Sequence, residues 1–252
     1  MAVLLDLDGT LYAGEEAVPG AADTLAALRD RGTTLRFLTN TDSRPPEAVL
    51  EELAEYGFDI APDELFTPIV AAEQLLEGLP EVRLHTMVAP AVRSHFARFG
   101  GAAPYTHVLI GDCREALDYA ALDAAFRALR GGAELVALQR GRYYKRADGD
   151  HVDAGAVVAG LEYAADLEAT VVGKPSGDFF ALCLRSADAT AEDSIVVGDD
   201  VSTDIAGGRA AGLRTVLVRT GKYADAPDGA DDDADHVIDS VADLPGLLDE
   251  LK

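Results

Sequence analysis

Two aspartates one residue apart, Asp6 and Asp8, close the apolar run Ala2 to Leu5 and lead directly into Gly9-Thr10. Alternate side chains of an extended chain share a side, so both carboxylates face the same way, while Gly9 and Thr10 let the backbone wrap closely with its N–H groups inward. Carboxylates so close repel, and a divalent cation or a shared proton between them relieves the repulsion. The competing reading is an Asp-Gly turn that only closes a strand. Three other places set chemically able residues just after an apolar run. They are Thr39-Asn40 after Leu35 to Leu38, Gly173-Lys174 after Val171-Val172, and Gly198-Asp199-Asp200 after Ile195 to Val197, with Asp204 five residues beyond Asp199. Asn40 is the sole asparagine and Lys174 one of four lysines, which argues for specific tasks. Read alone, Asn40 is better taken as a turn or cap residue before a helix beginning near Pro45, while for Lys174 an ordinary surface lysine is the lesser alternative.

The elements that must position these residues are legible as short apolar runs between helical patterns. Runs without polar alternation suit strands buried on both faces. Thr215 to Val218 is another such run. Helical stretches such as Gly20 to Asp30, Pro46 to Tyr56, Phe179 to Ala187 and Thr203 to Ala211 lie between them. The expected fold is therefore α/β with a parallel sheet, a Rossmann-like core in which ligands sit at the carboxyl ends of the strands. The middle of the chain breaks this rhythm: Val82 to Val88, His107 to Ile110 and Leu135 to Leu138 read as strands, Leu117 to Arg130 as a helix, and Tyr143 to Val152 as a hairpin turning at Asp148-Gly149. This gives an inserted α/β domain at 79–167 between the two halves, 1–78 and 168–252, of the first domain.

Composition limits the possible functions. The chain has 252 residues, 48% hydrophobic and 26% charged, which is ordinary globular usage. It contains no uninterrupted run of about 18 apolar residues and no basic leader, so neither a membrane span nor a signal peptide is expected and the cytoplasm is the expected location. Cys113 and Cys183 lack metal or disulfide spacing and read as inert thiols. The five histidines form no zinc motif. A net charge of −24 disfavours nucleic acid and anionic membranes as partners. Scattered through the chain, with arginine nearly always the base, this acidity suits a halophilic protein, because at molar salt a screening length of about 3 Å makes such charge tolerable.

Taken together the motifs resemble the haloacid dehalogenase superfamily of aspartyl phosphatases and phosphotransferases. Its four motifs are met in order by Asp6-Leu7-Asp8-Gly9-Thr10, Thr39-Asn40, Lys174 within Gly173-Lys174-Pro175-Ser176, and Gly198-Asp199-Asp200 with Asp204. The insertion between the second and third motifs resembles the NagD-like subgroup, which has a large α/β cap. Gly141-Arg142-Tyr143-Tyr144-Lys145, Leu161-Glu162-Tyr163-Ala164 and Arg219-Thr220-Gly221-Lys222-Tyr223 most resemble proteins of the phospholysine phosphohistidine inorganic pyrophosphate phosphatase type. The resemblance implies a small phosphorylated substrate, a Mg²⁺ cofactor and, from relatives that pair through the cap, a homodimer.

The residue types suit these roles. Asp6 can attack phosphorus to give an aspartyl phosphate. Asp8 can protonate the leaving oxygen and then, as its conjugate base, activate water. Asp6, the Asp8 backbone carbonyl and Asp199 supply hard oxygens for Mg²⁺, and Asp204 accepts from a metal-bound water. Thr39 and Asn40 donate to phosphate oxygens, and Lys174 neutralises charge. Asp200 stays outside this assignment. Arg140, Arg142, Lys145 and Arg146 form the one basic cluster, an anion-attracting patch or a solvated hairpin with equal weight. Two rivals stand beside the phosphatase: a phosphotransferase or phosphomutase using the same aspartates, and a non-catalytic phosphate-binding scaffold.

Overall fold

In the computed structural model, which describes residues 1–146 and 148–251, the apolar runs become strands. The side chains of Lys145 and Arg146, half of the basic cluster, lie outside the described residues, as does Lys252. Six strands form a parallel sheet, in the order His236–Ile238, Arg214–Val218, Ser194–Gly198, Ala2–Asp6, Thr34–Leu38, Leu65–Phe66. Ala2–Asp6 and Ser194–Gly198 are buried along their whole length, as strands covered on both faces must be.

The chain divides into two compact units. The first comprises Met1–Thr39, Glu47–Phe66 and Lys174–Lys252 and holds this sheet; the second comprises Asn40–Pro46 and Thr67–Gly173. The core of the first unit includes Val3, Leu5, Leu25, Leu28, Phe37, Leu53, Val197 and Val218. Helix Ala21–Asp30 supplies part of it: Ala21, Thr24, Leu25 and Leu28 recur on one face, and Gly20 and Gly32 bound it with left-handed backbone. At Phe37, which is wholly buried, truncation to alanine would cost about 3–5 kcal/mol.

The second unit has its own parallel sheet, in the order Thr170–Val171, Glu134–Ala137, His107–Ile110, Leu84–Met87. The run Val171-Val172, read from sequence among the strands of the main sheet, belongs here instead, because Thr170 and Val171 pair with Val136 and Ala137. Apolarity marks a buried strand without naming its partner. Helix Tyr119–Arg130 begins at Asp118, whose Oδ1 accepts the Ala121 N–H at 2.7 Å, and buries Ala125 and Leu129 in a core with Val108, Ile110 and Leu135. Strands Tyr143–Arg146 and Gly149–Val152 pair antiparallel as the expected hairpin. No helix among the described residues is long and apolar enough to cross a membrane.

Candidate active site

Strand register sets the level of the site in the first unit. Asp6 lies opposite Leu38, and Leu5 opposite Val197, so Asp6, Thr39 and Asp199 leave adjacent strands within one residue of the same height. Thr39 is buried, and its N–H donates to the Phe66 carbonyl at 3.1 Å.

Lys174 lies between two carboxylates distant in sequence. Its ammonium is 3% exposed and donates to Asp6 Oδ1 and, at 2.6 Å, to Asp204 Oδ1. Thr10 Oγ1 donates to Asp6 Oδ2 at 3.3 Å. One carboxylate oxygen from each of Asp6, Asp199 and Asp204 lies within 4.8 Å of the others.

Asp204 reaches this point through a widened helical turn, Val201–Ile205, in which the Asp200 carbonyl accepts the N–H groups of both Asp204 and Ile205. Asp204 Oδ2 accepts the Asp200 N–H at 3.2 Å, and a Cβ on Gly198 would run into the Asp204 carboxyl group.

The electrostatics follow from burial. Burial pushes the Asp6 carboxyl up against the opposing pull of Lys174, with the nearby Asp8 charge adding to the push. Burial raises Asp199 well above the usual carboxylate range, and Asp6 and Asp204 raise it further. Burial lifts Asp204 to about 7 in spite of Lys174. For Lys174 burial works toward neutrality, yet Asp204 and Asp6 outweigh it and keep the ammonium charged. Three carboxyl groups gather at one ammonium, and their oxygens are the hard donors that Mg²⁺ takes. The residues present therefore fit a divalent cation.

Asp8 is exposed, its backbone bridging to Tyr12. Asn40 belongs to the second unit and is half-buried, and a Cβ on Gly173 would approach its Oδ1 to 2.7 Å. Asp200 acquires a definite structural role. Its Oδ1 accepts from the N–H groups of Ser202 and Thr203, its Oδ2 pairs with Lys222 at 2.9 Å, and against the upward push of burial these partners hold it at about 2. In the basic cluster Arg140 pairs with Glu162 at 2.6 Å. Cys113 and Cys183 are buried free thiols, Cys113 pushed up to about 11 by burial.

Sequence reasoning used the segment after strand Arg214–Val218 only for its resemblance and gave it no place in the site. Thr220 donates its hydroxyl to the Gly9 carbonyl, and the Lys222 N–H donates to Asp199 Oδ2 at 2.5 Å. Its signal was available, since this segment also follows the carboxyl end of a parallel strand.

Comparison with known proteins identifies relatives along nearly the whole chain. A model of the haloacid dehalogenase-like hydrolases matches residues 3–101, and a second, HAD-hydrolase-like, matches 171–244. The chain is 42% identical over 222 residues to the bovine haloacid dehalogenase-like hydrolase domain-containing protein 2, covering 88% of this chain and 85% of that protein. It is 34% identical over 255 residues to human phospholysine phosphohistidine inorganic pyrophosphate phosphatase, covering 98% and 93%. Among solved structures it resembles a p-nitrophenyl phosphatase from Archaeoglobus fulgidus, with TM-score 0.89, 23% identity and 98% of each chain covered. NagD from E. coli K-12 gives TM-score 0.83 and 26% identity over 95% of this chain and 96% of that one.

Proposed function

Given that the chain belongs to the haloacid dehalogenase-like hydrolases and is a phosphatase of that family, we propose that it hydrolyses a small phosphate monoester, phosphoramidate or pyrophosphate through a phosphorylated Asp6. The observation that carries this reading is the buried constellation in which Lys174 joins Asp6 to Asp204 beside Asp199. Lys174 holds the Asp6 oxygens in place and opposes the burial that disfavours their ionised, attacking form. One Asp6 oxygen forms a bond to phosphorus as the bond to the leaving oxygen breaks, and Asp8 gives that oxygen its proton. Asp8, now a carboxylate, takes a proton from water. That water bonds to phosphorus and releases Asp6. Exposure of Asp8 suits a group that must exchange protons twice per turnover.

Mg²⁺, held by Asp6, Asp199 and the Asp8 carbonyl, would supply charge neutralisation for the transferring phosphoryl group. Asp204, paired with Lys174, suits the accepting role toward a water of that ion. Thr39 and Asn40 are assigned to the phosphate oxygens. The second unit is assigned as the cap that chooses the substrate. The phosphoramidate and pyrophosphate classes rest on relatives named for phospholysine, phosphohistidine and inorganic pyrophosphate.

The test is trapping. With p-nitrophenyl phosphate and Mg²⁺ at molar salt, Asp8→Asn should accumulate one phosphoryl group per chain, seen by intact mass, because the second step needs a base more than the first needs an acid when the leaving group is good. The added mass should vanish in the Asp6→Asn, Asp8→Asn double variant and in excess chelator. Turnover by the wild type unaltered in chelator would overturn the Mg²⁺ role.

A further inference from the structure

Asp199 is held chiefly by backbone. Its Oδ2 accepts the Lys222 N–H, and it lies against two glycines with left-handed backbone, Gly9 at φ 91° and Gly221 at φ 58°. A Cβ on either would strike Oδ2, and one on Gly221 would strike Gly9 Cα as well. The same segment is tied at two further points: the Thr220 hydroxyl donates to the Gly9 carbonyl, and the Lys222 ammonium pairs with Asp200 Oδ2 at 2.9 Å.

We propose that Thr220-Gly221-Lys222 is a positioning clamp for the cation site, committing Oδ2 of Asp199 to the protein and holding Oδ1 and the Asp8-Gly9 backbone ready for Mg²⁺. The inference rests on the reading of Asp6, Asp199 and Asp204 as the pocket that takes that ion. An aspartate carboxylate turns about a soft terminal torsion, so an unrestrained Asp199 would spread its oxygens over many orientations. A charge-assisted hydrogen bond from a fixed backbone N–H removes that freedom before the ion arrives. Thr220 does the same for the Gly9 carbonyl, 211 residues away in sequence, and so for the turn carrying the Asp8 carbonyl. The side chains of Thr220 and Lys222 touch none of the reacting groups, so their effect is on ligand arrangement rather than on a chemical step.

The test is calorimetric titration of the full chain with Mg²⁺ alone, paired with thermal melts in chelator. Thr220→Val, equal in size but unable to donate, should weaken Mg²⁺ binding about tenfold, the range expected when a group that orients a metal ligand is lost. Its cation-free melting temperature should stay near that of the wild type. Thr220→Ser, which keeps the hydroxyl, should restore the affinity, and Thr220→Ala should repeat the loss if the valine variant folds poorly. Turnover of p-nitrophenyl phosphate at saturating Mg²⁺ should recover in Thr220→Val, because the defect lies in affinity. Unchanged Mg²⁺ affinity in both Thr220→Val and Thr220→Ala overturns the clamp alone. A wild type that takes up no Mg²⁺ overturns both the clamp and the reading on which it rests.

Discussion

Each unit of the molecule brings three aspartates together, and it gives them different partners. In the first, Asp6, Asp199 and Asp204 surround a buried ammonium at the ends of parallel strands. In the second, Asp42 lies buried near Asp112 and Asp153. Asp112 is paired with Arg114 through Nε at 2.8 Å, Asp153 accepts from Gln139 at 2.9 Å, and Asp42 receives the Asp112 N–H at 2.9 Å. Among the described residues no cation comes to Asp42 in the way Lys174 comes to Asp6. Burial, with Asp153 and Asp112 adding repulsion, pushes Asp42 up to about 8, so at neutral pH it is largely a neutral acid. The difference lies in what opposes burial: in the first cluster Lys174 pulls Asp6 and Asp204 back toward the ionised form, whereas around Asp42 the neighbouring carboxylates add to the upward push.

Activity offers the largest contrast. Asp6→Asn should lower turnover of p-nitrophenyl phosphate by roughly 10⁴-fold or more, since an amide cannot attack phosphorus. Asp42→Asn, a neutral replacement for an acid that is already largely neutral, should keep turnover within about threefold. Equal losses in steady-state assays would erase the distinction between the two clusters.

Stability comes next. Lys174→Met strands buried charge, which costs about 3–5 kcal/mol unless a carboxyl group takes up a proton. The Arg114 side chain is 43% exposed, so Arg114→Met should cost no more than about 1 kcal/mol. Urea unfolding measured at 1 M and 3 M KCl sharpens this further. The net charge of −24 predicts that the wild type gains stability with salt, while the Lys174 penalty, buried from solvent, should barely change. A Lys174 penalty that shrinks as much as that of Arg114 would mean the first cluster is wetter than its burial indicates.

The smallest effect concerns pH. Folded Asp42 keeps its proton to about pH 8, whereas the unfolded chain releases it near 3.8. Between those values the folded state binds the extra proton, so this contribution to stability is full below pH 3.8 and is lost as pH rises through about 8. Asp42→Asn should therefore lose less stability than the wild type as pH rises from 5 to 8.5, the gap between the two opening with pH. Unfolding curves that stay parallel across this range would place Asp42 among ordinary ionised carboxylates.

Much of this was legible in the residues themselves. Hydrophobic periodicity is local, so the buried strands around Asp6 and Asp199, the helices at Ala21–Asp30 and Gly177–Ser186, and the hairpin at Tyr143–Val152 could be read before any coordinates. The strand-end rule, with the motif resemblance, then pointed to Asp6, Thr39 and Asp199, because a parallel sheet brings all its carboxyl ends to one edge, whereas Lys174 follows a run that pairs in the other sheet and rested on the motif resemblance. What tertiary structure alone decided is non-local. Which strand pairs with Thr170–Val171 depends on sheet register, and apolarity is the same signal for either sheet. That Lys174 touches Asp204 as well as Asp6, that Thr220 holds Gly9, and that Asp112 and Asp153 come close to Asp42 all depend on where segments tens to hundreds of residues apart come to rest. Sequence spacing carries the chemistry available to each strand end. Only the folded chain sets the burial and the partners, and these determine which aspartates stay charged.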